Sequence, residues 1–147
     1  MLERQVEPYT RRVYYYETDN MGIVHHSNYI RIMEETRLDF MHKAGMDYAE
    51  MERMGVIMPI VDVFCKYIYS ARYDEELVGC IQLTEFNGVR AAFKYEIYTL
   101  GGKELAASGE SHHCFLDVNT RIPVNLKKRC PEFYANGMAI LKGAEKE

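Results

Sequence analysis

At 147 residues the chain suits one domain, long enough to bury a core of its own. A net charge of −4 and a pI near 5.8 leave no basic field to draw in nucleic acid or an anionic membrane. The longest apolar run, Val56 to Phe64, is broken by Asp62, and the charged start MLERQVEP lacks a signal-peptide core, so neither membrane insertion nor export is expected.

Tyr9 to Thr18 is rich in β-branched and aromatic residues and predicts a first strand. A long helix should then run from about His26 to Gly45, the usual residue for a left-handed helix end. At about 100° per residue, Tyr29, Ile30, Met33, Thr36, Phe40, Met41 and Ala44 share one arc, opposite Arg31, Glu35, Asp39 and His42. Arg37 falls inside the apolar arc and Glu34 at its edge. Their i,i+3 spacing predicts a structural ion pair, the alternative being that Glu34 orients a catalytic group.

Asp47 and Glu50 have the form of a capping box, so a short helix should reach Gly55. Ile60 to Tyr69, Leu77 to Phe86, Val89 to Leu100 and Leu105 to Asp117 then read as four strands. Asn87-Gly88 and Gly101-Gly102 mark tight turns between them, which makes this part antiparallel. Asn119 to Pro123 is a turn, and Pro131 to Lys142 a poorly defined last helix. The chain is therefore α+β: an antiparallel sheet of about five strands with one long apolar helix packed on it.

The stretch Tyr14 to Gly45, YYYETDNMGIVHHSNYIRIMEETRLDFMHKAG, concentrates the chemistry. Asp19 and His26 bracket a helix start, where unpaired N–H groups and the positive end of the dipole face outward. A carboxylate, a histidine and free amide donors together suit acyl transfer. From spacing alone, however, Asp19 also reads as a turn-forming acid, and the His26 imidazole as a capping or packing group.

Glu17-Thr18-Asp19-Asn20-Met21-Gly22-Ile23-Val24-His25-His26-Ser27-Asn28-Tyr29 resembles the signature of hotdog-fold acyl-CoA thioesterases of the 4-hydroxybenzoyl-CoA thioesterase type. Asp19, Gly22, Val24, His26, Tyr29, Glu34 and Arg37 all fall on that pattern. His25 stands where an aromatic residue is common. The likeness runs more loosely through Tyr73-Asp74 and Gly109-Glu110, over roughly residues 8 to 130.

The resemblance implies a sheet wrapped around a central helix, at least a homodimer or homotetramer, and active sites built between subunits. It makes Asp19 the nucleophile or general base, with a backbone N–H near His26 as oxyanion donor and Glu34 in support. Gly22, Val24, His25 and Tyr29 are then expected against the substrate. Arg90 and Arg121 are candidates for the coenzyme A phosphates, as is the run Lys127-Lys128-Arg129, which also reads as a solvated charge cluster.

Other chemistries find little support. His112 and His113 point to opposite faces of a strand and cannot chelate together, so no metal site is expected. Ser27 lacks a nucleophile elbow, there is no glycine-rich phosphate loop, and Cys65, Cys80, Cys114 and Cys130 show neither zinc nor redox spacing. Reduced thiols suit a cytoplasmic protein. The expected reaction uses no cofactor, coenzyme A being part of the substrate. Two further functions fit the same fold: a non-catalytic acyl-thioester-binding module, and an acyl-thioester dehydratase or hydratase.

Overall fold

The computed structural model describes residues 2–145. Five strands form one antiparallel sheet: β1 (Tyr9–Arg12), β3 (Ile60–Tyr67), β4 (Glu76–Phe86), β5 (Arg90–Thr99) and β6 (Glu104–Cys114), in the order β1-β4-β5-β6-β3. The helix α1 (Ser27–Lys43) packs on one face of this sheet. It buries Tyr29, Ile32, Met33, Thr36, Phe40 and Met41 against Leu83, Phe93, Tyr95 and Ile97. This is the α+β hotdog arrangement.

Two glycines let the helix come this close. A Cβ on Gly79 would lie 2.4 Å from the Thr36 hydroxyl, and one on Gly109 would lie 2.4 Å from the Phe64 carbonyl oxygen and 2.7 Å from Met33. Neither could be fitted without moving backbone or helix.

The remaining elements close the ends of the sheet. After α1, Asp47 accepts a hydrogen bond from Glu50 N and starts α2 (Tyr48–Arg53). The Glu50 carboxylate pairs with Arg53 instead of returning to Asp47, so the expected cap forms without the reciprocal half of the box. The last predicted strand divides. β6 ends at Cys114, and β7 (Leu116–Asp117) leaves the sheet to pair with β2 (Val56–Ile57), which the sequence reading did not anticipate. The charge run Lys127-Lys128-Arg129 lies on a one-turn helix, α3 (Leu126–Arg129), where Arg129 donates to Asp117 at 2.8 Å. The final helix α4 (Pro131–Glu145) starts where expected and is longer than expected.

Two expectations are corrected. The first strand stops at Arg12. A 3-10 turn at Tyr15–Glu17 follows, because the Glu17 side chain folds inward to Arg11 instead of alternating outward. Glu34 and Arg37 do not pair either. Glu34 is exposed, whereas Arg37 is 7% exposed and donates from Nη1 to the Tyr95 hydroxyl at 3.0 Å. One sheet hydroxyl, not a helix neighbour, takes a guanidinium bond, and the buried Arg37 Nε finds no acceptor among the described residues.

That bond opens a buried chain. Tyr95 OH lies 2.6 Å from Ser111 Oγ, which lies 2.7 Å from His113 Nε2. Desolvation, reinforced by the Arg37 charge, holds the His113 imidazole down at about 4. As the pH falls below the ordinary histidine value of about 6.5, the unfolded chain binds a proton that the folded chain refuses, so stability falls and levels off only below about 4. His113 is 1% exposed, so the effect is little screened. Urea titrations should show a loss of about 2 kcal/mol between pH 7 and 5, above the main carboxylate range. His113→Leu should remove most of that slope. Parallel profiles for wild type and variant would show that the imidazole charges freely in the folded protein.

Candidate active site

Asp19 sits on a loop tied at both sides. Its N–H donates to Ile23 O at 2.9 Å and its carbonyl accepts from Gly22 N at 3.0 Å. Gly22 takes φ +76°, a left-handed setting that a side chain resists. One carboxylate oxygen, Oδ1, accepts from Met21 N at 2.8 Å. The other has no hydrogen-bond partner among the described residues and can meet a ligand.

The chain then runs back against the segment that follows β3 and against the Tyr15–Glu17 turn. Val24 N donates to Ala71 O at 2.8 Å, and His25 N to Glu17 O at 2.9 Å, before α1 begins at Ser27. Asn28 Nδ2 donates to the same Glu17 carbonyl at 2.8 Å. The His26 N–H finds no acceptor among the described residues. It lies at the helix start, where a developing oxyanion is favoured. The His26 carbonyl accepts from the Tyr67 hydroxyl at 3.1 Å, which ties the helix start to the end of β3.

Asp19 and His26 line one cleft of about 340 Å³, together with Val24, Tyr29, Tyr67, Tyr69 and Ser70. Tyr29 is buried, and its hydroxyl accepts from Ala71 N at 3.3 Å. Burial pushes the Tyr29 and Tyr67 phenols up, so both stay protonated donors at neutral pH.

Other expected site residues fall elsewhere in the chain. His25 does not face this cleft, because its Nδ1 accepts from Ser27 N at 3.2 Å and lies 2.8 Å from Ser27 Oγ. It caps the helix in place of His26, which makes no side-chain cap. Glu34 lines a separate groove with Tyr16, Asn28 and Arg31, and in one subunit it is not part of the Asp19 cleft. Arg90 lies in a third cleft beside Asp62, His112 and Cys114, and Arg121 stands exposed at φ +61° beyond β7. Asp62 is near the start of β3 and Tyr67 at its end. At about 3.3 Å per residue, five residues of strand separate the clefts by roughly 16 Å.

Sequence reasoning missed Tyr67, Ser70 and Arg72. The Arg72 guanidinium would stand 3.9 Å from a Cβ at Gly22, over the Asp19 loop, and makes no ion pair among the described residues. Strand parity could have placed Tyr67 on the helix side. Only the folded chain brings Arg72 to Gly22. Among the described residues, no three of His, Cys, Asp and Glu converge as metal ligands.

The profile of the thioesterase-like superfamily matches residues 13–137, the span that carries the cleft and the helix. The chain belongs to that superfamily. It is 34% identical over 122 residues to YneP of Bacillus subtilis (strain 168), whose name proposes acyl-CoA thioesterase activity, with 83% of this chain and 88% of that protein covered. A 1,4-dihydroxy-2-naphthoyl-CoA hydrolase of Thermosynechococcus vestitus (strain NIES-2133 / IAM M-273 / BP-1) is 25% identical over 79% of this chain and 81% of its own. Among solved structures, the DHNA-CoA thioesterase of Staphylococcus aureus superposes with a TM-score of 0.90 at 30% identity, covering 96% of this chain and 95% of that one. The chain is a hotdog-fold thioesterase. No helix among the described residues is long and apolar enough to cross a membrane.

The Asp19 loop of this thioesterase depends on the left-handed Gly22. Gly22→Ala would meet only an ordinary contact at Arg72, so its cost is backbone strain, about 1–2 kcal/mol. Gly143→Ala, in open space on α4, should instead stabilise. Thermal melts should move in opposite directions, with a lower kcat for Gly22→Ala alone. A Gly22→Ala protein with the wild-type melting temperature would overturn the strain argument.

Proposed function

We propose that the thioesterase hydrolyses an acyl-CoA to a carboxylic acid and free coenzyme A, with Asp19 as the reacting carboxylate. The observation that carries this reading is that an Asp19 oxygen and the His26 N–H, each without a partner among the described residues, belong to residues lining one cleft. As nucleophile, Asp19 would attack the thioester carbonyl. Coenzyme A leaves as the thiolate, and water then cleaves the mixed anhydride to acid and free Asp19. As general base, Asp19 takes a proton from water, whose oxygen attacks the same carbon; the tetrahedral adduct then expels coenzyme A as the thiolate, which takes up that proton and leaves Asp19 free. In either route negative charge gathers on the carbonyl oxygen, where the His26 N–H can stabilise it, and the exposed His26 imidazole can orient water. These steps need neither a metal nor a redox cofactor.

Tyr29, Tyr67 and Tyr69 give the cleft an aromatic wall, and the Thermosynechococcus relative is named for 1,4-dihydroxy-2-naphthoyl-CoA. Aromatic acyl groups therefore head the substrate panel. The four cysteines are free, in keeping with a cytoplasmic setting.

The working unit in this reading is a homodimer, or a homotetramer built from it, joined along β3. That strand lies at the edge of the sheet and exposes Ile60, Val61, Val63, Phe64 and Tyr67. An antiparallel twofold pairing would set the Ile60 end of one β3 against the Tyr67 end of the other. Arg90 of one subunit would then approach the Asp19 cleft of its neighbour, where coenzyme A phosphates need cations.

Asp19→Asn keeps the shape of the side chain and removes its basicity. Thiol release should fall about 10²–10⁴-fold, while a non-hydrolysable acyl-CoA analogue binds as before. Retention of more than about a tenth of the rate would remove Asp19 from the chemistry. A wild type that binds acyl-CoA and never releases thiol would favour a binding module. For the assembly, specific activity should fall on dilution together with the dimer fraction in ultracentrifugation. A fully active monomer would overturn the shared site.

A further inference from the structure

We propose that Arg11 and Glu17 are positioning residues for the reaction: their ion pair holds the Glu17 carbonyl, from which the Asp19 loop and the His26 N–H are both hung. The proposal rests on the thioesterase mechanism above.

Glu17 works at both of its ends. Its carboxylate accepts from Arg11 Nη1 at 2.8 Å, Arg11 Nη2 at 2.6 Å and Tyr14 N at 2.8 Å. Its carbonyl accepts from His25 N at 2.9 Å and Asn28 Nδ2 at 2.8 Å. Asp19 lies two residues after this carbonyl, and His26 one residue after its His25 partner. The catalytic carboxylate and the oxyanion donor are therefore spaced by one anchored peptide. Arg11 belongs to β1 and also bridges Glu35 on α1 at 3.2 Å, so sheet, turn and helix share one guanidinium.

Stability alone gives a poor reason for this arrangement. Glu17 is 5% exposed and the Arg11 side chain 9%, and a pair so dry loses in desolvation much of what it gains in attraction. Apolar residues of similar size would bury as well. What they would lack is direction: a planar fork on a carboxylate fixes both distance and angle. Burial alone would raise the Glu17 carboxyl. The Arg11 fork and the Tyr14 N–H outweigh it and hold the group below the usual carboxylate range, so the grip persists at neutral pH. A displacement of about 1 Å at a reacting group can cost about 10²-fold in rate.

The test uses full-length Glu17→Gln, which removes the charge, and Arg11→Lys, which keeps it and loses the fork. Each is assayed for thiol release from the best acyl-CoA of the wild type, for binding of the non-hydrolysable analogue, and for melting temperature. Both variants should lose at least about tenfold in kcat, with KM and analogue affinity within about threefold of wild type. Amide exchange gives a readout independent of turnover: the His25 N–H should exchange about tenfold faster in Glu17→Gln, with Phe40 in mid-helix unchanged. Wild-type kcat in both variants, or unaltered His25 exchange, overturns the proposal. So does a kcat loss that only follows the unfolded fraction, or failure of both variants to fold. If the wild type releases no thiol, the hydrolytic reading fails first, and the exchange data still report whether the pair holds the helix start.

Discussion

Close contact between one helix and one sheet is the constraint on which the rest of this molecule depends. Met33 and Thr36 of α1 lie directly over Gly109 and Gly79, at distances that leave no room for a Cβ. A helix set that near buries a continuous apolar layer, and it also fixes where its first turn must begin. The helix start then lies beside the end of β3, within reach of the Tyr67 hydroxyl. The cleft follows from the packing of the core.

The same closeness creates the main electrostatic problem of the interior. Arg37 points into the contact layer and meets no carboxylate among the described residues. It is accommodated by relay, through Tyr95 and Ser111 to a neutral His113. If Arg37 donates to Tyr95, each hydroxyl can pass its own proton onward to the next acceptor, ending at His113 Nε2. Such a chain tolerates little rotation of α1, because turning the helix by one residue would break its first bond and leave the charge alone in an apolar layer. Shape sets the distance of the helix, and this polar chain sets its rotation.

Much of this was legible in the sequence. The period of α1, the glycine at its end, the turn signals at Asn87-Gly88 and Gly101-Gly102 and the alternation of the strands are local patterns. Local patterns survive folding when nothing competes with them. The motif from Glu17 to Tyr29 carried the reaction class. What escaped was long-range. Spacing along the helix points Arg37 to Glu34, three residues away, and is blind to the Tyr95 hydroxyl, 58 residues distant. The pattern extends the first strand through Thr18 because nothing in YYYET announces that Glu17 turns inward to Arg11. His25 and His26 are identical in type, and only the backbone decides that one caps the helix while the other faces the cleft. Arg90 and Arg121 were placed by charge alone, and in one subunit they stand away from Asp19.

The bare edge of β3 has a consequence for the life of the chain before it meets any partner. IVDVFCKY has the composition of a segment that stacks on copies of itself: β-branched, aromatic, free of proline and nearly neutral. Asp62 and Lys66 interrupt it at the two ends. In a fibril made of identical registers, each would lie against its own charge in the next chain, whereas an antiparallel twofold pairing can bring acid to base. Two ionic residues would thus act as gatekeepers, leaving the strand open to one orderly neighbour and opposing an endless row of them.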